Sequence, residues 1–468
     1  MLFSSATFLF AFLPVVALLY YLIPKRCTAA RNLFLTGASL LFYAWGEPRF
    51  VLVMLLVIVS SWLFARKIEA SAKSARKGFL LVAVSVDLTV LFVFKYLGFF
   101  TENLNRLPFV RLPVPQITLP IGISFFTFQA ISYVVDVYRG EAAQKSLWDV
   151  MLYIAFFPQL IAGPIVRYSD FADQIHNRQE SLQNWNRGGY RFAIGLGKKV
   201  ILSNNLAYVA DAAFSSVGSL SFSMAWIGAV GYSLQLYFDF SGYSDMAIGL
   251  GQMFGFHFLE NFNYPFISRS ITELWRRWHI SLGSWFRDYV YIPLGGSRCR
   301  LRRTCLNLLI VFALTGLWHG AAWQYVVFGL LHGIILCMER LGLRRALEQL
   351  PRLFRHLYTV VLLWLTLVIF GAPGLSEGLA VLKGIFTWQS GAKGYTLAAF
   401  ADTKLLLILA ASFLLCGPVQ ALCPKLKAAL YAEKAPSPAG MAGLLVLLFL
   451  GLMRVTAGTY SAFIYFQF

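Results

Sequence analysis

Nine apolar stretches divide the chain into candidate membrane spans. A helix needs about 20 mainly apolar residues to cross a bilayer, and several of these stretches are shorter, so their boundaries are loose. The stretches are Phe8–Ile23, Leu33–Trp45, Phe50–Phe64, Phe79–Phe94, Leu306–Leu317, Val326–Met338, Tyr358–Phe370, Leu405–Cys416 and Met441–Met453. The pattern predicts an all-α protein that crosses the membrane many times.

Between Leu119 and Phe258 the apolar pattern is interrupted by glycine, proline and polar residues, as at Gly163-Pro164 and Gly242. Non-helical backbone at membrane depth is tolerated only inside protein or beside a water-filled cavity. The middle of the chain is therefore predicted to form an enclosed core, with the other spans packed around it. Such segments do not recur in both halves, which disfavours a two-repeat transporter and favours one membrane domain.

Composition and charge agree with a multi-pass membrane protein. The 468 residues are 58% hydrophobic and 13% charged, with a mean hydropathy of +0.66, whereas soluble domains carry about 25% charged residues. The net charge of +19 comes from short basic blocks between apolar stretches, such as Lys25-Arg26 and Arg298 to Arg303. This is the pattern of cytoplasmic loops, and nucleic-acid binding is not expected.

The start of the chain and the cysteines narrow the picture further. Tyr20, Tyr21 and Pro24 stand at the end of the first apolar stretch in place of the small residues of a cleavage site, so the stretch is predicted to be a span. No metal spacing or phosphate-binding glycine loop is present, and no bound metal or cofactor is expected. The six cysteines are Cys27, Cys299, Cys305, Cys337, Cys416 and Cys423.

One histidine lies in an otherwise apolar segment, Leu314-Thr-Gly-Leu-Trp-His-Gly-Ala-Ala-Trp323. Ionisable residues inside spans are costly, and they are functional candidates for that reason. Trp318 and Trp323 are predicted to wall a pocket around His319, whose neutral imidazole would accept a proton from an alcohol. A core histidine bonded to a neighbouring carbonyl is an equal alternative on these residues alone.

A second segment runs from Ile271 to Val290 and contains His279. On a continuous helix, Trp275, His279, Leu282 and Phe286 share one face. The resulting amphipathic helix suits a membrane interface. Arg276 and Arg277 lie elsewhere on it, where they would bind lipid headgroups or the phosphates of a nucleotide-bearing donor.

A third segment, Gln235-Leu-Tyr-Phe-Asp-Phe-Ser-Gly-Tyr-Ser-Asp245, puts polar groups into an apolar stretch. Asp239, Ser241 and Asp245 are candidates for lining a polar tunnel. Interhelical hydrogen bonds that hold broken helices together are the favoured explanation for most of these groups, and Asp239 and Asp245 stay open. Asn261 and Asn263 stand before Tyr264-Pro265 and are predicted to be turn and cap residues.

These motifs give the sequence a close resemblance to the membrane-bound O-acyltransferase superfamily, in its bacterial alginate O-acetyltransferase branch. The resemblance covers most of the chain to about Arg340. The matching segments are Leu41-Phe-Tyr-Ala-Trp-Gly46, Leu119-Pro-Ile-Gly-Ile-Ser-Phe-Phe-Thr-Phe-Gln129, Phe157-Pro-Gln-Leu-Ile-Ala-Gly-Pro164, Leu236-Tyr-Phe-Asp-Phe-Ser-Gly-Tyr-Ser-Asp245, Trp275-Arg-Arg-Trp-His279 and Gly316-Leu-Trp-His-Gly320.

The resemblance implies a ring of tilted helices around a thinned core with a tunnel between the two membrane faces. It implies one domain over 1–468, with a catalytic core at 118–340 and C-terminal helices with an aromatic tail at 341–468. His319 corresponds to the family's catalytic histidine and His279 to its second motif histidine.

The resemblance also implies a multi-pass enzyme of the bacterial inner membrane. Its donor would be cytoplasmic acetyl-CoA and its acceptor an outer-face polysaccharide, reached through a periplasmic SGNH-like acetyltransferase. Membrane lipid is the remaining partner. The basic residues Arg276, Arg277, Arg298 and Arg300 are candidates for binding the donor, although topology alone explains the block that begins at Arg298.

The aromatic segment Phe463-Ile-Tyr-Phe-Gln-Phe468 follows the last apolar stretch. It resembles aromatic ends found elsewhere in this branch. Tyr465 is a candidate for carrying the acyl group briefly, because a nucleophilic hydroxyl splits one hard transfer into two easier ones. An interfacial aromatic anchor is an equal alternative.

Two other functions remain open from the sequence. A related acyltransferase such as a teichoic acid D-alanyl transferase would take its acyl group from a carrier protein. A transporter or flippase would move an acylated lipid without making bonds. Hydrolysis of acetyl-CoA by the purified protein separates an enzyme from a transporter.

Overall fold

A computed structural model describes residues 1–215, 220–388, 400, 402–425, 438–457 and 464. Each of the nine predicted apolar stretches coincides with a helix, and the described residues contain no strand. Six helices are long and apolar enough to cross a membrane, and Phe8–Leu22 and Gly440–Thr456 are shorter apolar helices. The six are Val51–Ala70, Lys73–Leu104, Leu301–His319, Trp323–Gln349, Arg352–Gly371 and Thr403–Leu422.

Several helices extend a turn or more beyond the apolar stretch that predicted them. The fourth stretch begins at Phe79, whereas its helix begins at Lys73. Lysine and arginine favour helix, and their long side chains reach polar surroundings from a span end. The polar flanks therefore continue the helices, which explains how short apolar stretches give spans of sufficient length.

The chain divides into two compact units. The first comprises residues 1–188 and 247–259. Its core is aromatic: Phe8, Phe12, Phe42 and Phe157 form one cluster of ring contacts. The helices within it are Phe8–Leu22, Thr28–Gly46, Val51–Ala70, Lys73–Leu104, Ile123–Arg139, Leu147–Ala155, Phe157–Leu160, Tyr168–Phe171 and Gln174–Asn177.

The second unit comprises residues 189–246 and 260–468 and contains both motif histidines. Helices Leu182–Gly197 and Phe222–Met253 contribute residues to both units. The division into two compact units does not decide whether residues 1–468 form a single domain, which stays a prediction. The other helices of the second unit are Asn204–Ser215, Pro265–Ile267, Ile271–Trp275, Ile280–Phe286, Arg287–Tyr291, Leu301–His319, Trp323–Met338, Glu339–Leu343, Arg344–Gln349, Arg352–Gly371, Leu375–Phe386, Thr403–Leu415, Pro418–Leu422 and Pro438–Thr456.

Two helices of the second unit, α1 (Leu301–His319) and α2 (Trp323–Met338), form a tight antiparallel hairpin. A side chain at Gly316 would collide with the carbonyl of Tyr325, and one at Gly329 would collide with the carbonyl of Phe312. Small residues let helix backbones approach closely in a membrane. Gly316, one turn before Gly320 on α1, is therefore required for packing. This packing fixes the helix end that carries His319.

Basic residues gather at one end of three successive helices. Arg302 and Arg303 begin α1, Arg344 and Arg345 follow α2, and Arg352 begins the helix Arg352–Gly371. The opposite ends, at residues 320–323 and 371–374, carry no lysine or arginine. Cytoplasmic loops are enriched in these residues, so we expect the basic ends to lie on the cytoplasmic side.

Candidate active site

The segment around His279 is not one continuous helix. Helix α3 (Ile271–Trp275) ends before His279, and α4 (Ile280–Phe286) begins after it. His279 adopts a left-handed conformation with φ of 45°, which costs an L-residue roughly 1–2 kcal/mol. The predicted continuous amphipathic helix is therefore wrong, because a turn of strained backbone divides it at the histidine.

Asn261 provides the contacts that stabilise this turn. Its backbone carbonyl accepts a hydrogen bond from the Ile280 N–H at 2.9 Å. Its side-chain Oδ1 accepts from the Ser281 N–H at 3.2 Å and from the Ser281 hydroxyl at 2.9 Å. These bonds satisfy the first amides of α4, which an interrupted helix leaves without partners. Asn261 was predicted to be a turn or cap residue before Tyr264-Pro265; its bonds instead go to the first turn of α4, from outside that helix.

The same side chain orients the His279 ring. Asn261 Oδ1 lies 3.1 Å from His279 Nδ1, and Asn261 Nδ2 donates to the Ser244 hydroxyl at 3.0 Å. Because Oδ1 can only accept, Nδ1 carries the proton and Nε2 carries the lone pair. Among the described residues, the buried Nε2 has no hydrogen-bond partner. The ring therefore presents a basic nitrogen.

His279 is held neutral by its surroundings. It is 1% exposed and lies outside the six candidate spans. Burial lowers its pKa well below the ordinary value, and the neighbouring His319 lowers it further. A neutral imidazole is the form that accepts a proton or a hydrogen bond in catalysis.

His319 is the last residue of α1 and is 6% exposed. Its ring lies 5.1 Å from the ring of Phe370 and 5.2 Å from that of Trp318, both edge to face. The helix end is fixed by the glycine packing of the hairpin, so packing on several sides restricts the ring's orientation.

The structure brings the two motif histidines together. Their ring centroids lie 6.5 Å apart, and Trp318 contacts both, at 5.7 Å from His279 and 5.2 Å from His319. Phe240 covers His279 from the helix Phe222–Met253 at 4.6 Å. Aromatic rings thus pack against both histidines. The catalytic roles of the two histidines stay predictions.

One cavity, of about 500 Å³, is lined by His279 and by α1 residues from Leu308 to Thr315. We call it the inner cavity. The four residues predicted to share a helix face all line it, although the helix is broken between them. Arg276, which was predicted to lie elsewhere on the helix, also lines it, as does Arg287. Its walls include Trp275, Arg276, His279, Leu282, Phe286, Arg287, Leu308, Phe312 and Thr315.

A second cavity, of about 510 Å³, lies beyond the other end of α1. We call it the outer cavity. It begins at Gly320, the residue after His319, whereas the inner cavity follows α1 from Leu308 to Thr315. Along this helix His319 therefore lies between the residues that line the inner cavity and Gly320, which lines the outer cavity; His279 lines the inner cavity, and His319 lines neither. The walls of the outer cavity include Asp211, Ser215, Tyr232, Gln235, Gly320, Ala321, Gln324, Tyr325, Gly371 and Ile464.

A third cavity, of about 440 Å³, is lined by arginines from three helical segments. We call it the arginine cavity. Two of its five arginines pair with acids, Arg277 with Glu273 and Arg344 with Glu348, both at 2.9 Å. Arg276 lines this cavity as well as the inner one. The five are Arg269, Arg276, Arg277, Arg344 and Arg355.

The arginine cavity divides the candidates for donor binding. Arg276 and Arg277 line it, whereas Arg298 and Arg300 lie in the turn before α1 and line none of the three cavities. Sequence reasoning missed Arg269, Arg344 and Arg355 because they come from distant parts of the chain. Arg344 and Arg355 stand in basic blocks that topology already explained, and Arg269 is a lone arginine between Ser268 and Ser270.

Sequence reasoning also missed Glu339, which is 2% exposed. Its carboxylate accepts from the backbone N–H groups of Ile271 and Thr272 at 2.7 and 2.9 Å and from the Thr272 hydroxyl at 2.5 Å. A carboxylate is favourable at a helix N-terminus. Glu339 thus fixes the start of α3, and with it the segment leading to His279. A buried acid beside a span was the available signal.

Asp239 and Asp245, two of the residues predicted to line a tunnel, form buried ion pairs. Asp245 pairs with Arg191 and Lys198 at 2.7 and 2.6 Å, and Asp239 pairs with Lys199. Neither aspartate, nor Ser241, lines the inner or outer cavity. Trp323 begins α2, is 44% exposed and lines neither cavity. Tyr465 lies outside the described residues. Within those residues no cluster has the composition of a metal site.

Comparison with known proteins identifies the family. The model of the membrane-bound O-acyltransferase family matches residues 123–375, more than half of the chain. The chain is 40% identical to the probable alginate O-acetylase of Azotobacter vinelandii over the full length of both. It is 36% identical to the peptidoglycan O-acetyltransferase of Helicobacter pylori, over 82% of this chain and 80% of that protein.

A more distant relative is the teichoic acid D-alanyltransferase of Bacillus subtilis, 28% identical over 66% of this chain and 80% of that protein. All three relatives transfer acyl groups by name, and the matched region contains both histidines. The chain is a multi-pass membrane acyltransferase and belongs to the membrane-bound O-acyltransferase family.

Proposed function

We propose that this chain takes an acetyl group from cytoplasmic acetyl-CoA and delivers it to the outer face of the bacterial inner membrane for O-acetylation of an alginate-like polysaccharide. The observation that carries the proposal is the close pair of histidines, with His279 in the wall of the inner cavity and His319 directly before Gly320, which lines the outer cavity. The names of the relatives at 36 to 40% identity support the acetyl group and the glycan hydroxyl.

The arginine cavity supports a nucleotide-bearing donor. Guanidinium groups bind phosphates through paired, charge-assisted hydrogen bonds. Coenzyme A carries three phosphates at one end and its thioester at the end of a long, flexible arm. Because Arg276 lines both cavities, phosphates in the arginine cavity would leave the arm in the inner cavity, with the thioester toward His279.

The two imidazoles then have distinct roles. An acceptor hydroxyl enters from the outer cavity, and His319 takes its proton as the oxygen attacks the thioester carbonyl. The carbon–sulfur bond breaks, the acyl–oxygen bond forms, and the thiolate leaving group takes a proton to give free coenzyme A. His279, with Nε2 facing the inner cavity, orients the thioester or the departing sulfur.

The immediate acceptor is part of the same proposal. Delivery to the polysaccharide would pass through a periplasmic SGNH-like acetyltransferase, which receives the acetyl group at the outer face. The hydroxyl of Tyr465 is proposed as a temporary carrier before that step. Tyr465 follows Ile464, which lines the outer cavity.

The rival donor is a carrier-protein thioester, as in D-alanyl transfer, and it differs from acetyl-CoA in its number of phosphates. A pantetheine arm on a carrier protein bears a single phosphate. Of the five arginines around the arginine cavity, Arg277 and Arg344 pair with Glu273 and Glu348. The other three exceed what a single phosphate needs and suit the three phosphates of coenzyme A. This observation favours acetyl-CoA.

The test of this function uses purified protein in lipid nanodiscs with radiolabelled acetyl-CoA. We expect release of free coenzyme A, and label on added alginate only when the periplasmic transferase is present. Acetyl-carrier protein, at equal concentration, is expected to react at least tenfold more slowly. Turnover with the carrier protein but not with acetyl-CoA would contradict the proposed donor, and no turnover of either thioester would contradict the proposed function.

Arg276→Ala is expected to raise the KM for acetyl-CoA by about 10- to 100-fold with little change in kcat. A hydrogen bond to a charged group contributes about 1.5–3 kcal/mol, and each 1.4 kcal/mol is tenfold in affinity. Steady-state release of coenzyme A measures both constants.

Arg298→Ala is the matched control, since Arg298 has the same charge on the same basic side but lines none of the three cavities. It is expected to leave the KM within about twofold. Equal effects at the two positions would show that general positive charge, and not the arginine cavity, attracts the donor.

A further inference from the structure

Ile464 contributes to the wall of the outer cavity from far along the chain. It is 3% exposed, and its backbone N–H donates to Asp239 Oδ2 at 3.0 Å, across 225 residues. A buried backbone N–H needs a partner, and here a carboxylate provides it. The contact therefore fixes the position of the chain at Ile464.

Asp239 is itself held by a buried cation. Its other oxygen, Oδ1, pairs with Lys199 Nζ, and the two side chains are 2% and 1% exposed. Burying two charges is costly unless their geometry and remaining hydrogen bonds compensate. The Ile464 N–H is one of those compensating bonds, so the three groups form a connected unit, which we call the tail clamp.

The tail clamp lies close to the candidate active site. Gln235, one helical turn before Asp239 on the helix Phe222–Met253, lines the outer cavity together with Ile464 and Gly320. Gly320 directly follows His319. The clamp thus holds the chain at Ile464 against the same cavity through which an acceptor would reach the histidine.

We propose that Asp239, supported by Lys199, is a positioning residue that holds Ile464 in the wall of the outer cavity. Ile464 then shapes the acceptor side of the site. The placement of Ile464 stands without the proposed function, and only the effect on acetyl transfer rests on that function. A role in stability alone would lower the temperature of unfolding and leave labelling at residue 464 at the basal rate.

The test uses Ile464→Cys protein in nanodiscs and measures maleimide labelling at residue 464 by peptide mass spectrometry. Two further proteins add Lys199→Met with Asp239→Asn or with Asp239→Leu. Both remove the charges, and asparagine and leucine are similar in size, but only asparagine keeps an oxygen for the Ile464 N–H. The protein with Ile464→Cys alone sets the basal rate.

Labelling is expected to stay near the basal rate with Asp239→Asn and to rise at least tenfold with Asp239→Leu. Equal labelling of the two, whether slow or fast, would overturn the clamp. Thermal unfolding in nanodiscs establishes that both proteins are folded, and neither labelling result depends on acetyl transfer.

A second pair leaves Asp239 and Lys199 intact. Ile464→Pro removes the N–H donor, whereas Ile464→Val keeps it. In the coupled assay with alginate, Ile464→Pro is expected to lose at least tenfold in kcat for transfer while Ile464→Val stays within twofold. Both should retain the KM for acetyl-CoA. Equal transfer by the two variants would overturn the proposed role of the contact.

Discussion

His319→Ala is expected to lower acetyl transfer by about 100- to 10,000-fold, the usual cost of losing a general base. The His319 ring lies 6.5 Å from the ring of His279, and the next residue, Gly320, lines the outer cavity. In the proposed mechanism His319 takes the acceptor's proton, so its loss removes the base. Transfer from acetyl-CoA in nanodiscs measures the loss, with membrane insertion and expression compared in parallel.

The control for this change is His332→Gln. His332 is also fully buried, but its Nδ1 bonds the Phe328 carbonyl at 3.0 Å and its ring lies against Trp275. The comparison therefore separates the effect of losing any buried imidazole from the effect of losing the His319 imidazole. We expect His332→Gln to retain activity within about tenfold. Near-normal transfer by His319→Ala would remove its assignment as the base.

His279→Gly is expected to reduce transfer by about 100-fold while the protein stays folded. Glycine adopts positive φ without steric cost, so it suits the left-handed position that His279 occupies. The change relieves backbone strain of roughly 1–2 kcal/mol, which offsets part of the lost packing. Activity and stability should therefore separate, unlike in a substitution that damages the fold.

Free imidazole provides the second measurement for His279. The glycine variant leaves a hole lined by Asn261 and Phe240, where imidazole can bind Asn261 Oδ1 as the native ring does. Added imidazole should restore at least a tenth of the lost rate to His279→Gly and none to His319→Gly if the hole is specific. If His279→Gly transfers at the native rate, the neutral Nε2 has no role in the reaction.

The membrane helices were predictable because each one appears in the sequence as a stretch of apolar residues. Every residue of a span faces either lipid or protein, and both favour apolar side chains, so the nine stretches coincide with helices. Their ends were less predictable, since residues such as Lys73 continue a helix by their own propensity after the apolar stretch has ended.

The histidines were predictable as residues but not as a geometry. An imidazole in an apolar stretch is costly enough to attract attention at both positions. The break at His279 was not predictable, because the segment contains neither glycine nor proline between Trp275 and Ile280. The turn depends on Asn261, eighteen residues earlier, and a tertiary contact overrode the local helical pattern.

Residues whose partners lie far along the chain were the hardest to predict from the sequence. Glu339 acts on Ile271 across 68 residues, and Arg269, Arg344 and Arg355 meet only in the folded chain. Each is ordinary in its own segment. Only the folded arrangement distinguishes Arg276, which lines two cavities, from Arg298, which lines neither.

The contact between Ile464 and Asp239 also has a consequence for biogenesis. Ribosomes add roughly 5–20 residues per second, so the 225 residues that separate the two partners take on the order of 10–45 s to synthesise at that rate. During that interval the hairpin with His319 can insert and pack, but the outer cavity lacks one of its walls. A nascent chain would therefore hold an assembled histidine pair before its acceptor side is complete, and premature termination would yield an inserted protein without a finished site.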